Sequence, residues 1–210
     1  MSRGDALRRL AAHEARWLTG LWWWVARRRI GVGAGERALP YAAGQAAMVY
    51  GLTFVCVVET VGLHVMLAGA PVARWVLLVV DVYTVLMMLG FQASAVTRPH
   101  VLGAEGLLLR DGARREIRLP LQRIASVGHD LRFSEKREEG VLHMAVGGQT
   151  SVTVELAEPV VAVRLLGRQE VVRTVRFHAD DARGAVAAVR AAVTAAAGAG
   201  SRVGEAAIRG

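Results

Sequence analysis

Glu59, His64 and Asp81 are the first candidates for chemistry, because they interrupt an otherwise apolar stretch of chain. Residues 46–67 and 72–95 are two greasy runs joined only by Ala68-Gly69-Ala70-Pro71. Each run is long enough to cross the roughly 30 Å hydrocarbon core of a bilayer as a helix. In a hairpin rising about 1.5 Å per residue, Glu59 lies about ten residues before the turn and Asp81 about eleven after it, so they reach similar depth. His64 and Arg74 form a second level nearer the turn. Ionisable groups at such depth are costly, so each is expected to face a partner, a cavity or another subunit. Two roles stay open for them. They form a proton or cation path or a metal pocket, or else a hydrogen-bonded pair that sets hairpin or oligomer register. One hairpin encloses too little protein for a conduit, so conduction would require several copies.

The second group of candidates is cationic. Of 26 basic residues all but Lys136 are arginine, which together with abundant Ala, Val and Gly points to a high-GC bacterial coding sequence. Residues 1–45 carry eight arginines against three acids, and Arg27-Arg28-Arg29 stand shortly before the first apolar run. A pI of about 11 could suggest nucleic acid. Basic residues beside a membrane span instead favour anionic lipid headgroups, so no nucleic-acid partner is expected. Arg110, Arg114, Arg115 and Arg118 make a second basic cluster, interrupted by Asp111 and Glu116. It is read either as a lipid- or partner-binding face or as the solvated side of a sheet. Trp17, Trp22, Trp23, Trp24 and Trp75, with Tyr41 and Tyr50, suit interfacial anchors, and Arg74 can snorkel outward.

Catalytic signatures are missing. Gly31-Val32-Gly33-Ala34-Gly35 lacks the lysine and preceding strand of a phosphate-binding loop, and neither a G-x-S-x-G elbow nor an H-E-x-x-H helix occurs. The single cysteine, Cys56, excludes a disulfide framework and any multi-thiolate metal site. His129-Asp130 and His143 fall on strands expected to be neighbours, yet their spacing is not a metal-ligand pattern. The expectation is a protein without catalytic residues, metal or cofactor.

These groups must be positioned by four segments. Residues 5–25 place Leu7, Leu10, Trp17, Leu21 and Val25 at helical spacing, which fits an amphipathic helix in the headgroup layer; the competing reading packs it on the carboxy-terminal domain. Glu14, and the lack of a small-residue cleavage site before the triple arginine, argue against a signal peptide. Residues 30–39 read as a flexible linker, closing a cytoplasmic segment 1–45. Residues 46–95 are the transmembrane hairpin, with small-residue pairs Ala47/Gly51 and Gly90/Ser94 marking close helix contact. Arginine flanks both outer ends while the turn is uncharged, which places both termini in the cytoplasm and the protein in the inner membrane as a multi-pass chain.

From residue 98 the pattern becomes alternating. Strands are expected at 106–110 and 116–119 around Asp111-Gly112, at 124–133, at 141–146 and 151–156 around Gly147-Gly148, and at 160–166 and 170–177. Asp180-Asp181 then offers an N-cap and first-turn acid for an alanine-rich helix to about residue 197, followed by a flexible tail, 198–210. About seven strands and one helix make an α+β protein whose carboxy-terminal half is a small antiparallel barrel or sandwich capped by that helix.

Two stretches, LLLRDGARREIRLPLQRIASV (107–127) and TVRFHADDARGAVAAVRAAV (174–193), resemble bacterial pleckstrin-homology-like domains attached to transmembrane hairpins. The whole layout is similar to high-GC bacterial integral membrane proteins of this kind. The resemblance covers roughly residues 98–195 and implies a cytoplasmic interaction module, 98–197, bringing no catalytic signature. Its expected partners are the lipid bilayer and a protein or a second copy of the chain.

Overall fold

The computed structural model describes residues 15, 18–112, 115–133, 138–163 and 169–208. Two long helices dominate, α2 (Ala43–Met66) and α3 (Pro71–Thr97), preceded by a short helix α1 of which residues 18–25 are continuous. Pro71 starts α3 at a position where its missing N–H costs nothing. Both long helices are long and apolar enough to cross a membrane. Neither has a polar side, and Phe54, Val61, Met66 and Val79 all stand exposed. Burial is confined to the last turns of α3, from Gly90 to Thr97.

That buried end receives α1. A β-carbon on Gly20 would fall 2.5 Å from Ser94 Oγ and 3.2 Å from Ser94 Cα, so only glycine lets the two helices approach this closely. The small residue Ser94 therefore serves α1. Ala47 and Gly51 are exposed, with open space beside Gly51, and make no such contact. The opposite side of α1 presents Leu18, Trp22 and Val25 as an exposed apolar stripe. Trp17 lies outside the described residues.

Among the described residues, eight strands form two sheets. β1 (Arg37–Leu39), β2 (His100–Leu102), β3 (Gly106–Asp111) and β4 (Arg115–Pro120) form an antiparallel sheet in chain order. β5 (Ile124–Arg132), β6 (Val141–Met144), β7 (Thr150–Val163) and β8 (Gln169–Phe177) form a second, in the order β5-β7-β8-β6. A single turn at Leu121–Arg123 joins the sheets, and α4 (Ala182–Ile208) packs over that turn and β5. One apolar core joins all of this. Leu107, Leu109 and Leu119 of the first sheet meet Val154, Val175 and Phe177 of the second, with Val186 and Val189 of α4 beside them.

The α+β class stands, but the sheets do not close into a barrel. Residues 37–39, read as linker, form β1 and pair with β2 across Arg37–Leu102 and Leu39–His100. The expected strands 151–156 and 160–166 merge into β7, whose register breaks between Glu155 and Val160, around the N–H-less Pro159. The expected hairpin through Gly147-Gly148 shrinks to one bridge between Val146 and Gln149. β6 runs parallel to β8 instead, Val141 facing Thr174 and Met144 facing Phe177. α4 continues to Ile208 through the segment read as a flexible tail, in keeping with the helix propensity of its alanines.

Leu107 is fully buried where the two sheets meet. Replacing it with alanine should cost about 2–5 kcal/mol in denaturant or thermal unfolding of the detergent-solubilised protein. A cost below about 1 kcal/mol would mean that the sheets do not share a core.

Candidate functional site

The junction between the long helices and the β domain concentrates the polar chemistry of the molecule. β1 leads directly through Pro40 into α2, and α3 leads through Arg98-Pro99 into β2, so the joint has almost no slack. Tyr41 is buried there, its ring stacked on His100 at 4.4 Å and its hydroxyl accepting the Gly112 N–H at 2.8 Å. Burial pushes the Tyr41 phenol well above its ordinary value, only partly opposed by that hydrogen bond.

His100 ties three segments together. Its Nδ1 accepts the Arg110 N–H at 3.0 Å, and its Nε2 donates to the His178 carbonyl at 3.1 Å. That pairing fixes a neutral imidazole with the proton on Nε2. Phe177 packs edge-on at 5.1 Å. Burial pulls the His100 pKa down to about 3, against the opposing hydrogen bond to His178. His178 is lowered as well, again by burial, with Asp180 working the other way.

Asp180 completes the joint. Its N–H donates to the Pro40 carbonyl at 2.9 Å, and its carboxylate accepts the Ala43 N–H at 3.1 and 3.3 Å. The first turn of α2 has no cap of its own, so the β domain supplies the acceptor. Asp181 meanwhile caps α4 through the Gly184 N–H at 2.9 Å. Both acids were expected to serve that one helix; the structure divides them between two. Gln92, almost wholly buried, accepts from Gln45 at 3.0 Å and donates to the Ala42 carbonyl at 3.4 Å.

Arg110 is placed differently from expectation. It is buried, and its Nη1 donates to the carbonyls of Ile30, Gly31 and Pro99 at 3.1, 3.1 and 3.4 Å, with Glu116 at 3.5 Å. Gly31 sits at φ +67°, and a β-carbon there would fall 2.5 Å from Arg110 Nη2. The guanidinium is a clamp on residues 30–31, out of reach of a lipid or a partner. Arg118 is exposed and paired with Glu105 at 3.3 Å. Arg115 stands opposite Asp111 in the β3–β4 register, and Arg114 lies outside the described residues. Arg110, buried, and Arg118, paired with Glu105, therefore do not form a free basic cluster.

Arg27, Arg28 and Arg29 do converge. They line a cleft of about 690 Å³ bounded by the end of α1, the first turns of α2 and the last turns of α3. Its apolar wall is Trp24, Ala46, Tyr50 and Val96, and Asp180 lies at its rim. Among the described residues the three guanidinium groups have no ion pair or hydrogen-bond partner. The segment is held by the Ile30 N–H, which donates to the Thr97 carbonyl at 2.8 Å, and by the Arg110 clamp. Of the remaining tryptophans, Trp22 is exposed and Trp23 half-buried.

The intramembrane candidates separate. Asp81 shares a tight seam between α2 and α3 with Thr60, His64 and Arg74. Arg74 donates to the His64 ring, with Nε 2.8 Å from Nε2, and Trp75, itself exposed, meets that ring edge-on at 6.2 Å. Glu59 faces outward and does not meet Asp81. Thr60, His64 and Leu67 occupy the seam at helical spacing, which leaves Glu59 about 100° off that line. His129 and His143 do not meet either, because β5 and β6 are opposite edges of their sheet. No group of three His, Cys, Asp or Glu side chains suited to a metal occurs among the described residues.

Comparison with protein-family models, with curated proteins and with solved structures finds no match for this chain.

His100 generates a pH dependence. Its pKa is about 3 in the fold and about 6.5 in an unfolded chain. Between those values the unfolded state binds more protons, so the stabilisation is complete above about pH 6.5 and is lost as pH falls, by up to about 1.4 kcal/mol per unit. His178 and His143 are lowered too and act with the same sign. Melting temperature measured from pH 8 to pH 5 in detergent should therefore decline, and His100→Gln should flatten the decline. An unchanged slope would remove His100 from the linkage.

Proposed function

We propose that the chain is a two-span protein of the bacterial inner membrane that holds a pleckstrin-homology-like, non-catalytic interaction module against the cytoplasmic face. Lipid is the solvent that suits α2 and α3, since their apolar side chains stand exposed all round. Arginines at 27–29 and 98, against an uncharged turn at 68–71, orient both ends toward the cytoplasm. The observation that carries the reading is the joint itself, where Asp180 of the β domain caps the Ala43 N–H of the first span. A domain tied in this way is kept at fixed height above the bilayer, so its partner is a lipid or a membrane-borne protein within reach of that surface. The cleft at the joint is its binding site.

Glu59 favours a second reading, an oligomeric transport or proton- or cation-conducting component. Its outward orientation would let a neighbouring copy supply the partner that one chain lacks. Asp81, closed in its seam with His64 and Arg74, opens onto no channel within one chain.

Alkaline carbonate should leave the full chain in the membrane, and tags at its two ends should both be reached only from the cytoplasmic side. Asp180→Ala should leave insertion intact while exposing the α2 cap, raising amide exchange at residues 43–45 roughly fivefold for a cap contributing about 1 kcal/mol. Release by carbonate, or tags in opposite compartments, would overturn the reading.

A further inference from the structure

The lining of the joint cleft specifies a ligand class, on the footing of the membrane-anchored reading above. We infer that the cleft seats the phosphate headgroup of one anionic phospholipid from the cytoplasmic leaflet.

The charge balance is the first reason. Arg27, Arg28 and Arg29 face the cleft without partners among the described residues, while the one carboxylate at its rim, Asp180, is engaged by the Ala43 N–H. Guanidinium groups bind phosphate oxygens through paired N–H donors and are the residue type suited to that task.

Position is the second. The cleft lies between the first turns of α2 and the last turns of α3, which is headgroup level for spans of this length. Its volume of about 690 Å³ is within the ordinary range for a ligand site. A lining that combines three cations with Trp24, Tyr50 and Val96 matches an amphiphile, with the acyl chains left in the bilayer. A free phosphate would leave the apolar wall unused.

Backbone conformation supplies the third reason, independent of the other two. α1 ends in a Schellman motif: the Arg28 N–H donates to the Trp23 carbonyl at 3.0 Å and the Arg27 N–H to the Trp24 carbonyl at 2.9 Å. Arg27 occupies the left-handed position of that motif at φ +52°, where glycine is the unstrained choice. Glycine fills the next left-handed positions, Gly31 and Gly35. Arg27 thus holds a position where glycine would be unstrained, and it lines the cleft from there.

The test uses the full chain in a neutral detergent, offered equal amounts of phosphatidylglycerol and phosphatidylcholine with matched acyl chains and examined by native mass spectrometry. One phosphatidylglycerol per chain should be retained, about tenfold in preference. Arg27→Gly relieves the left-handed strain, so its melting temperature should hold or rise while the lipid preference falls about fivefold, the effect of one cation at an anionic surface. The Arg28→Gln/Arg29→Gln double variant should lose the preference altogether. Millimolar inorganic phosphate or glycerol 3-phosphate should fail to displace the lipid. Equal retention of the two lipids, a preference that survives both variants, or full displacement by a soluble phosphate each overturns the inference. Any of these in a chain that still resists carbonate leaves the anchor reading standing; a chain that carbonate releases overturns both.

Discussion

A helix that enters an apolar environment leaves its first backbone N–H groups without partners, and the fold answers that constraint from a distance. α2 begins after Ala42 with no cap of its own, and the acceptor arrives from residue 180, at the start of the last helix. Around that one bond the rest of the joint is arranged. The Asp180 N–H returns to Pro40, His178 holds His100 through its carbonyl, and His100 holds the β3 backbone through Arg110. Tyr41 stacks on the same imidazole and reaches the turn after β3. Segments far apart in the chain thus meet at one point, each using a polar group that would be costly if left unpaired.

Arginine is used in two opposite ways within a few ångströms of that point. Arg110 is withdrawn from solvent, and three carbonyls and Glu116 compensate its charge. Burying a guanidinium is costly, and here Nη1 meets three carbonyls while the Glu116 carboxylate stands near Nε. Arg27, Arg28 and Arg29 have no such partners among the described residues. By gripping Ile30 and Gly31 the buried arginine fixes the chain immediately after the triple arginine. The clamp adds to the Ile30 N–H bond to Thr97 and to the hydrogen-bonded end of α1, which hold the three cations from either side. Residue type alone therefore did not distinguish the clamping arginine from the cleft-lining ones; their carbonyl neighbours did.

The parts legible in the sequence were those set by local chemistry. Run length marked α2 and α3, Asp111-Gly112 marked the β3–β4 hairpin, with Gly112 at φ +50°, and Asp181 marked the start of α4. What escaped was decided by distant partners. β1 and β2 have three residues each, too few for alternation to register, and exist because they pair with each other. β6 prefers a parallel place beside β8 over its sequence neighbour, because Leu142 and Met144 are buried there alongside Val175 and Phe177. Matching Glu59 and Asp81 by depth says nothing of azimuth, and the seam takes Thr60 and His64 beside Asp81. Asp180 carried one faint signal, being an acid beside another acid that already sufficed as a cap.

The joint also couples the cleft to the core of the β domain. Tyr41 lines the cleft on one side and rests on His100 on the other; His100 in turn packs against Phe177, at the centre of the apolar cluster. Asp180 is likewise shared between the rim of the cleft and the cap of α2. A ligand that draws Arg27–Arg29 inward would therefore press on groups that already hold span and domain together, with no flexible linker to absorb the change. β1 runs into α2, and α3 into β2, within two or three residues. The short connections that join helices to sheets thus also link the cleft, through Tyr41 and His100, to the core of the β domain.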